Sequence, residues 1–212
     1  MIAVLTGDIV DSTHHDKAAW LPALRSVLVN WGKEGKDFEI YRGDEFQLRL
    51  KSPDKAVLAA ISIKARLKAV ADTDIRISIG LGGDQEKQIT QEDKTGNTLT
   101  LSTSPAFILS GRTLDELKAN RIHLGIATGN EALDLELNLL LQWILLTADG
   151  WSTVSAETLD MALTYPGMSQ KEMAASMNVQ QSAISQRLKR ANYDLLMETL
   201  SYFEQKIGAL CH

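Results

Sequence analysis

Two short stretches hold the residues best suited to chemistry: TGDIVDST, residues 6–13, and RGDEF, residues 42–46. Each sets an aspartate, Asp8 or Asp44, beside a strand-like run. Carboxylate oxygens from two such residues are what Mg²⁺ or Mn²⁺ takes from a protein when phosphate supplies the rest of its shell. Ions held in this way activate a hydroxyl nucleophile and steady the leaving oxygens in phosphoryl transfer. Asp11, Ser12 and Thr13 follow at once and are expected to lead into a helix whose free N–H groups favour phosphate. The alternative is structural: Asp11 or Ser12 caps that helix, and Asp44 is present because aspartate suits tight turns. His14 and His15 stand beside Asp11 and Asp16, but adjacent histidines point apart and no downstream residues have zinc-ligand spacing. They are expected to be solvated loop residues.

The periodicity of the chain suggests how the aspartates are brought together. An apolar run over Ile2–Val10 precedes Trp20, Leu24, Val27, Leu28 and Trp31 at helical spacing. Phe38 and Ile40, then Phe46, Leu48 and Leu50, alternate with polar residues and predict a hairpin. For Ile40 to face Leu48 and Phe38 to face Leu50, the loop must hold an odd number of residues, Gly43 to Glu45, with Asp44 at the tip. Pro53 opens a helix to about Ala71, and Ile75, Ile77, Ile79 and Leu81 form the next strand. Gln85–Asn97 reads as a loop, followed by the alternating Leu99 and Leu101. A helix then opens near Ser104-Pro105 towards Leu117, and a last strand carries Ile122, Leu124 and Ile126. The order βαββαβ is the ferredoxin-like unit. Its usual strand order 4-1-3-2 puts the end of the first strand level with the hairpin tip, so Asp8 and Asp44 are expected to be neighbours.

A domain boundary is expected near residue 130. Residues 1–130 would form the ferredoxin-like domain, and 131–212 an all-α domain, giving an α+β chain. Leu133–Leu146 is strongly apolar and helical, and a further helix from about Ala156 stops at Pro166-Gly167. From Ser169, QKEMAASMNVQQSAISQRLKRA reads as helix, turn, helix over about 169–190. Ser169 with Glu172 makes a capping box, Asn178 suits a left-handed turn, and Met173, Val179, Ile184 and Leu188 supply a shared core. This resembles the helix-turn-helix of bacterial regulators, whose second helix enters the major groove. Gln181, Ser182, Ser185 and Gln186 would then face base edges, and Lys171, Arg187, Lys189 and Arg190 the phosphates. The alternative is a packing or dimerisation module. Leu195, Leu196, Leu200, Phe203 and Ile207 continue a stripe beyond the motif; it, or Leu133–Leu146, is expected to be the seam of a homodimer. Trp20, Trp31 and Trp143 lie on apolar stripes and are expected in the core.

Composition narrows the setting. The 212 residues carry a formal net charge of −5, with 44% hydrophobic and 23% charged residues, which argues for a folded globular chain rather than a disordered one. Residues 1–130 hold 17 basic and 17 acidic side chains, whereas 131–212 hold 5 and 10. Inside that acidic segment, residues 168–191 carry Lys171, Arg187, Lys189 and Arg190 against Glu172 alone, a basic island that fits nucleic acid. Cys211 is the only cysteine, so no internal disulfide can form. No apolar run reaches the roughly 20 residues of a membrane span. A cytoplasmic location without membrane contact is expected.

TGDIVDST resembles the DI-x-x-ST start of class III nucleotide cyclase domains, and RGDEF resembles both their GD hairpin and the GGDEF signature of diguanylate cyclases. Taken with AFILSGRTLDEL and the helix pair, these stretches are similar to the SatD family of bacterial proteins over most of the chain. The resemblance implies a cyclase-like palm in which Asp8, the carbonyl of Ile9 and Asp44 hold metal. Ile40 stands where class III cyclases carry a purine-selecting lysine, and Arg42 where GGDEF proteins carry their first glycine. Nucleotide or polyphosphate binding with Mg or Mn is therefore expected rather than cyclisation. Arg42 and Arg112 are the cations expected near a phosphate, although Arg112 could instead pair with Asp115 or Glu116 one turn on.

Three readings follow. The first is a transcription regulator that binds DNA and senses a nucleotide through metal at Asp8 and Asp44. The second is an enzyme of nucleotidyl or phosphoryl transfer with the helix pair as an accessory. The third is a degenerate scaffold that binds neither.

Overall fold

The structure, a computed structural model, describes residues 1–41, 43–84, 88–92, 98–102 and 104–211. The chain runs through β1 (Ile2–Ile9), α1 (Lys17–Val29), β2 (Phe38–Tyr41), β3 (Glu45–Leu50), α2 (Ala56–Ala71) and β4 (Ile75–Gly82). It continues through β5 (Gln88–Glu92), β6 (Thr98–Ser102), α3 (Pro105–Asn120) and β7 (Leu124–Ala127). Five strands form one sheet in the order β2-β3-β1-β4-β7, while β5 and β6 pair separately. β1 is antiparallel to both neighbours, and β7 runs parallel to β4. The fold is mixed α+β. Residues 88–92, expected within a polar loop, form β5, because pairing with β6 satisfies backbone groups whatever the polarity of the side chains.

Strand alternation sorts the sheet into two faces. Across β3, β1 and β4, the rows Leu50–Ala3–Leu81, Leu48–Leu5–Ile79 and Phe46–Gly7–Ile77 point one way. All of these but Gly7 belong to the main core, with Trp20, Leu24 and Leu28 of α1 and Ala60, Ile63 and Leu67 of α2. The opposite face carries Gln47–Thr6–Ser78 and Glu45–Asp8–Arg76, and α3 lies over it. Gly80 permits the close approach of α3: a Cβ there would lie 2.1 Å from the Ala106 carbonyl and 2.5 Å from the Ser110 nitrogen.

The hairpin has an odd loop of three residues, but its register differs from expectation by two. Phe38 faces Leu48 and Ile40 faces Phe46, so Glu45 belongs to β3 and the loop is 42–44. The ladder runs on to Tyr41 opposite Glu45. Gly43 takes the left-handed conformation with φ 88° that the turn requires.

Beyond β7 come α4 (Glu131–Ala148), α5 (Thr153–Thr164), α6 (Gln170–Ser176), α7 (Gln181–Arg190) and α8 (Tyr193–Ala209). Leu137, Leu141 and Leu145 of α4, Leu159 of α5, and Leu196, Leu200, Phe203 and Ile207 of α8 join the main core. Apart from Leu195, which is exposed, the α8 stripe is thus buried within the chain and is not a free seam, because α8 packs beside α2 and the turn that precedes it, with Lys55 bonded to Glu204. Helices α6 and α7 have a smaller core of their own, Met173, Ala174, Ile184 and Leu188 with Ala162 of α5. Trp20 is buried and Trp31 half-buried, whereas Trp143 projects from α4 into solvent. No described helix is long and apolar enough to cross a membrane.

Gly80→Ala is expected to cost about 3 kcal/mol, since the obstructing atoms are backbone. In thermal melts the Tm should fall by roughly 6–12 °C. Gly83→Ala, with open space around its Cβ, serves as the control and should leave the Tm nearly unchanged.

Candidate functional site

β1 ends between the two expected aspartates. The Ile9 amide donates to the Asp44 carbonyl at 3.2 Å, so the turn carrying Asp44 is fastened to the end of the strand carrying Asp8. Their side chains enter different networks. Asp44 accepts from the Ser12 hydroxyl at 2.6 Å, which joins the hairpin to the segment after β1. Asp8 belongs to the row Glu45–Asp8–Arg76 beneath α3, where Nη1 of Arg76 lies 3.0 and 2.9 Å from its two oxygens. Lys118 of α3 completes the row, 3.6 Å from Asp8 and 3.2 Å from Glu45. Burial opposes charge on Lys118, but the hydrogen bond it donates to Glu45 and the charges of Asp8 and Glu45 raise its pKa above the ordinary lysine value. Two carboxylates thus face two cations, and the row is neutral overall.

The next row inward is uncharged. The Thr6 and Ser110 hydroxyls lie 3.0 Å apart, Gln47 donates to Thr6 at 3.3 Å, and the Ser78 hydroxyl is 2.7 Å from the Ser110 carbonyl. Every hydroxyl buried in this row has a partner, which fixes α3, and with it Lys118, over β1 and β4.

Arg76 and Lys118 are the site residues that the sequence reading did not name. Arg76 had a signal, as the only charged residue in a strand otherwise made of apolar, Ser and Gly residues. Lys118 had none, because only the packing of α3 brings it to Asp8. Glu45 is half-buried and bonded to Lys118.

The expected phosphate residues are arranged differently from the sequence reading. Asp16, not Asp11 or Ser12, caps α1 by accepting from the Ala18 amide at 2.8 Å. Residues Ser12–His14 form a separate 3₁₀ turn entered through Asp11 at φ 51°. Asp11–Thr13 therefore precede α1 by a turn and do not line its N-terminus. Thr13, His14 and Asp11 are exposed. Arg112 is exposed on α3 and makes neither expected pair, nor any other ion pair among the described residues. Arg42 lies outside the described residues.

A second charged cluster borders the same end of the sheet. The Asp74 carbonyl accepts from the Val10 amide at 3.0 Å, and its carboxylate meets His123, just before β7, at 3.1 Å. The same Nδ1 lies 3.2 Å from Asp149, the C-cap of α4. Among the described residues, Asp74, His123 and Asp149 are the one set of three whose ligand atoms approach within 4.8 Å of each other. The buried ammonium of Lys64 bonds to Asp74 and lies 2.8 Å from Asp149, so two cations already balance the two carboxylates. The hydrogen bonds to Asp149 and Asp74 push His123 up to about 9. Burial raises Asp74, but His123 and Lys64 outweigh it and hold the carboxyl well below its usual range. This clasp ties α2, β4 and β7 to the end of α4.

In the helical segment, Ser169 accepts from the Glu172 amide and Glu172 from the Ser169 amide, a complete capping box. Asn178 adopts φ 52° between α6 and α7. Ile184 and Leu188 are buried, while Gln181, Ser182, Ser185, Gln186, Lys189 and Arg190 are exposed and Arg187 is half-buried. Lys171 is exposed on α6, and Gln181 donates to Gln170 at 2.9 Å, holding the starts of the two helices together. The chain matches the model of the SatD family over residues 2–204. No curated protein matches it.

The clasp gives a pH dependence of known sign. His123 is raised from about 6.5 in the unfolded chain, so its contribution is complete below pH 6.5 and disappears as pH rises through about 9. Between pH 7 and 10 the protein should lose on the order of 1–2 kcal/mol more than a His123→Gln variant, once solvent screening is allowed for. Thermal melts should register this as a Tm fall about 5 °C larger for the wild type. Parallel melting curves across that range would remove His123 as the cause.

Proposed function

The chain belongs to the SatD family, and from that premise we propose that it is a cytoplasmic DNA-binding regulator whose sheet domain senses a nucleotide with Mg or Mn. The observation that carries the reading is the division of α7 into two sides. Ile184 and Leu188 enter the small core, while Gln181, Ser182, Ser185 and Gln186 are exposed on the side where amides and hydroxyls would read base edges, Gln181 once its bond to Gln170 is exchanged. Lys171, Arg187, Lys189 and Arg190 provide the positive charge for the phosphates, against an acidic remainder that discourages contact elsewhere. The capping box and the left-handed Asn178 favour a tight helix-turn-helix as distinct from two loosely joined helices.

The sensing half of the proposal rests on the ferredoxin-like strand sequence βαββαβ and on the backbone bond joining Ile9 to the Asp44 turn. Asp8, the Ile9 carbonyl and Asp44 would hold the cation. Arg76 and Lys118 neutralise Asp8 in this structure; with a cation held at Asp8 they would be free to meet the phosphates that a nucleotide brings, alongside Asp11–Thr13 and Arg112. The positive charge so left over would be met by the phosphate, which would make binding of the metal and of the phosphate mutually dependent.

Fluorescence anisotropy on a labelled mixed-sequence duplex tests the first half. The full-length chain should bind with an affinity that falls steeply as salt rises, and Arg187→Ala/Lys189→Ala should weaken binding at least tenfold. Unchanged binding by that variant would sink the assignment of α7. For the second half, Mn²⁺ and nucleoside triphosphates added together should raise the Tm by roughly 5–10 °C near saturation. Asp44→Asn should abolish that rise, and an equal rise in the variant would remove Asp44 from the site.

A further inference from the structure

The outer side of α4 is apolar from end to end. Leu135, Leu139, Trp143 and Leu146 are 75%, 55%, 66% and 74% exposed, and their spacing holds them within an arc of roughly 80°. Leu195 of α8, 64% exposed, stands across from them. Between the two helices runs a groove of about 430 Å³ at its deeper end, floored by Ile144, Trp151, Ala191 and Leu196. Hydrogen bonds fix its width at both ends: Asn192 donates to Thr147 at 3.3 Å, and Glu136 accepts from Tyr202 and lies 2.9 Å from Lys206. The groove is preformed, with projecting side chains along one of its own walls.

We propose that this surface binds a second copy of the chain through a twofold axis, with α4 antiparallel to α4 of the partner. Two features select that occupant. A twofold contact must be self-complementary, and the patch supplies both knob and hole: Trp143 and Leu146 project beside a groove into which their symmetry mates can enter. The large side chains of the patch, with Tyr202, expose roughly 700 Å², close to the ~800 Å² per partner of a standard stable interface. Charge and dipole give the direction. Glu131 stands in the first turn of α4, so parallel pairing would bring the two copies of it together, whereas antiparallel pairing separates them and opposes the helix dipoles. The inference does not depend on what α7 or the sheet binds.

The mass of the full-length chain in solution decides the matter. Sedimentation at micromolar concentration should give twice the chain mass of 23.3 kDa. Trp143→Ser/Leu146→Ser should weaken the dimer by about 100-fold or more, as expected on losing a central aromatic anchor. Both side chains are exposed in the single chain, so the variant should keep its helical circular dichroism. Orientation is read with Cys211→Ser as background. Leu139→Cys, near the middle of the stripe, should form a disulfide-linked dimer on mild oxidation, and Leu135→Cys, at one end, should not. A monomer at 100 µM overturns the proposal, as does a dimer that the double substitution leaves intact. Efficient crosslinking through Leu135→Cys alone overturns the antiparallel arrangement. A monomer whose tryptophan emission shifts blue on lipid vesicles would assign the stripe to a membrane surface, and so also overturns it.

Discussion

The register of β1 is the constraint on which the rest of the molecule depends. Paired along almost its whole length on both sides, this strand sends every second side chain into the main core and the others under α3. A slip of one residue would bury Asp8 among leucines and expose Leu5, so the apolar face sets the register to the residue. From that alignment follow the charged row Glu45–Asp8–Arg76, the hydroxyl row beside it, and the meeting of Ile9 with the Asp44 turn. The candidate site is thus positioned by hydrophobic burial on the opposite face of the same strand.

Charge compensation explains why such a site can exist before any ligand arrives. A half-buried carboxylate with no partner is costly. Asp8 avoids that cost through Arg76 and Lys118, and Asp74 through Lys64 and His123. Both clusters are neutral and both lie at the end of the sheet where β1 finishes. They differ in what they join: the Asp8 row stays between β3, β1, β4 and α3, whereas the Asp74 clasp reaches from β4 and β7 to α4 and so fastens the sheet to the helical segment.

Much of this was legible from local pattern. The alternation of Ile75, Ile77, Ile79 and Leu81, the stop at Pro166-Gly167 and the capping box at Ser169 each reflect physics within a few residues, and the elements appear where those signals stand. Hairpin parity was readable because the side-chain period is two, but the register within that parity was not: Phe46, Leu48 and Leu50 are all apolar and offer equally good partners. Longer-range facts escaped. Nothing near Lys118 reveals that α3 will carry it to Asp8, and nothing near Trp143 distinguishes an outward stripe from an inward one on a helix apolar on both sides. Even the start of α1 turned on a competition between Asp11, Ser12 and Asp16 for one cap, which Asp16 wins while Ser12 is drawn to Asp44.

Helix α5 is shared between two hydrophobic interiors. Ala156 and Leu159 sit in the large core beneath the sheet, and Ala162, less than one turn further on, sits in the small core of α6 and α7. Asp160 on the same helix is tied to Arg66 of α2 at 3.1 Å. Close-packed interiors resist gradual deformation, so the seating of this 12-residue helix on α2 sets where the pair α6–α7 stands relative to the large core.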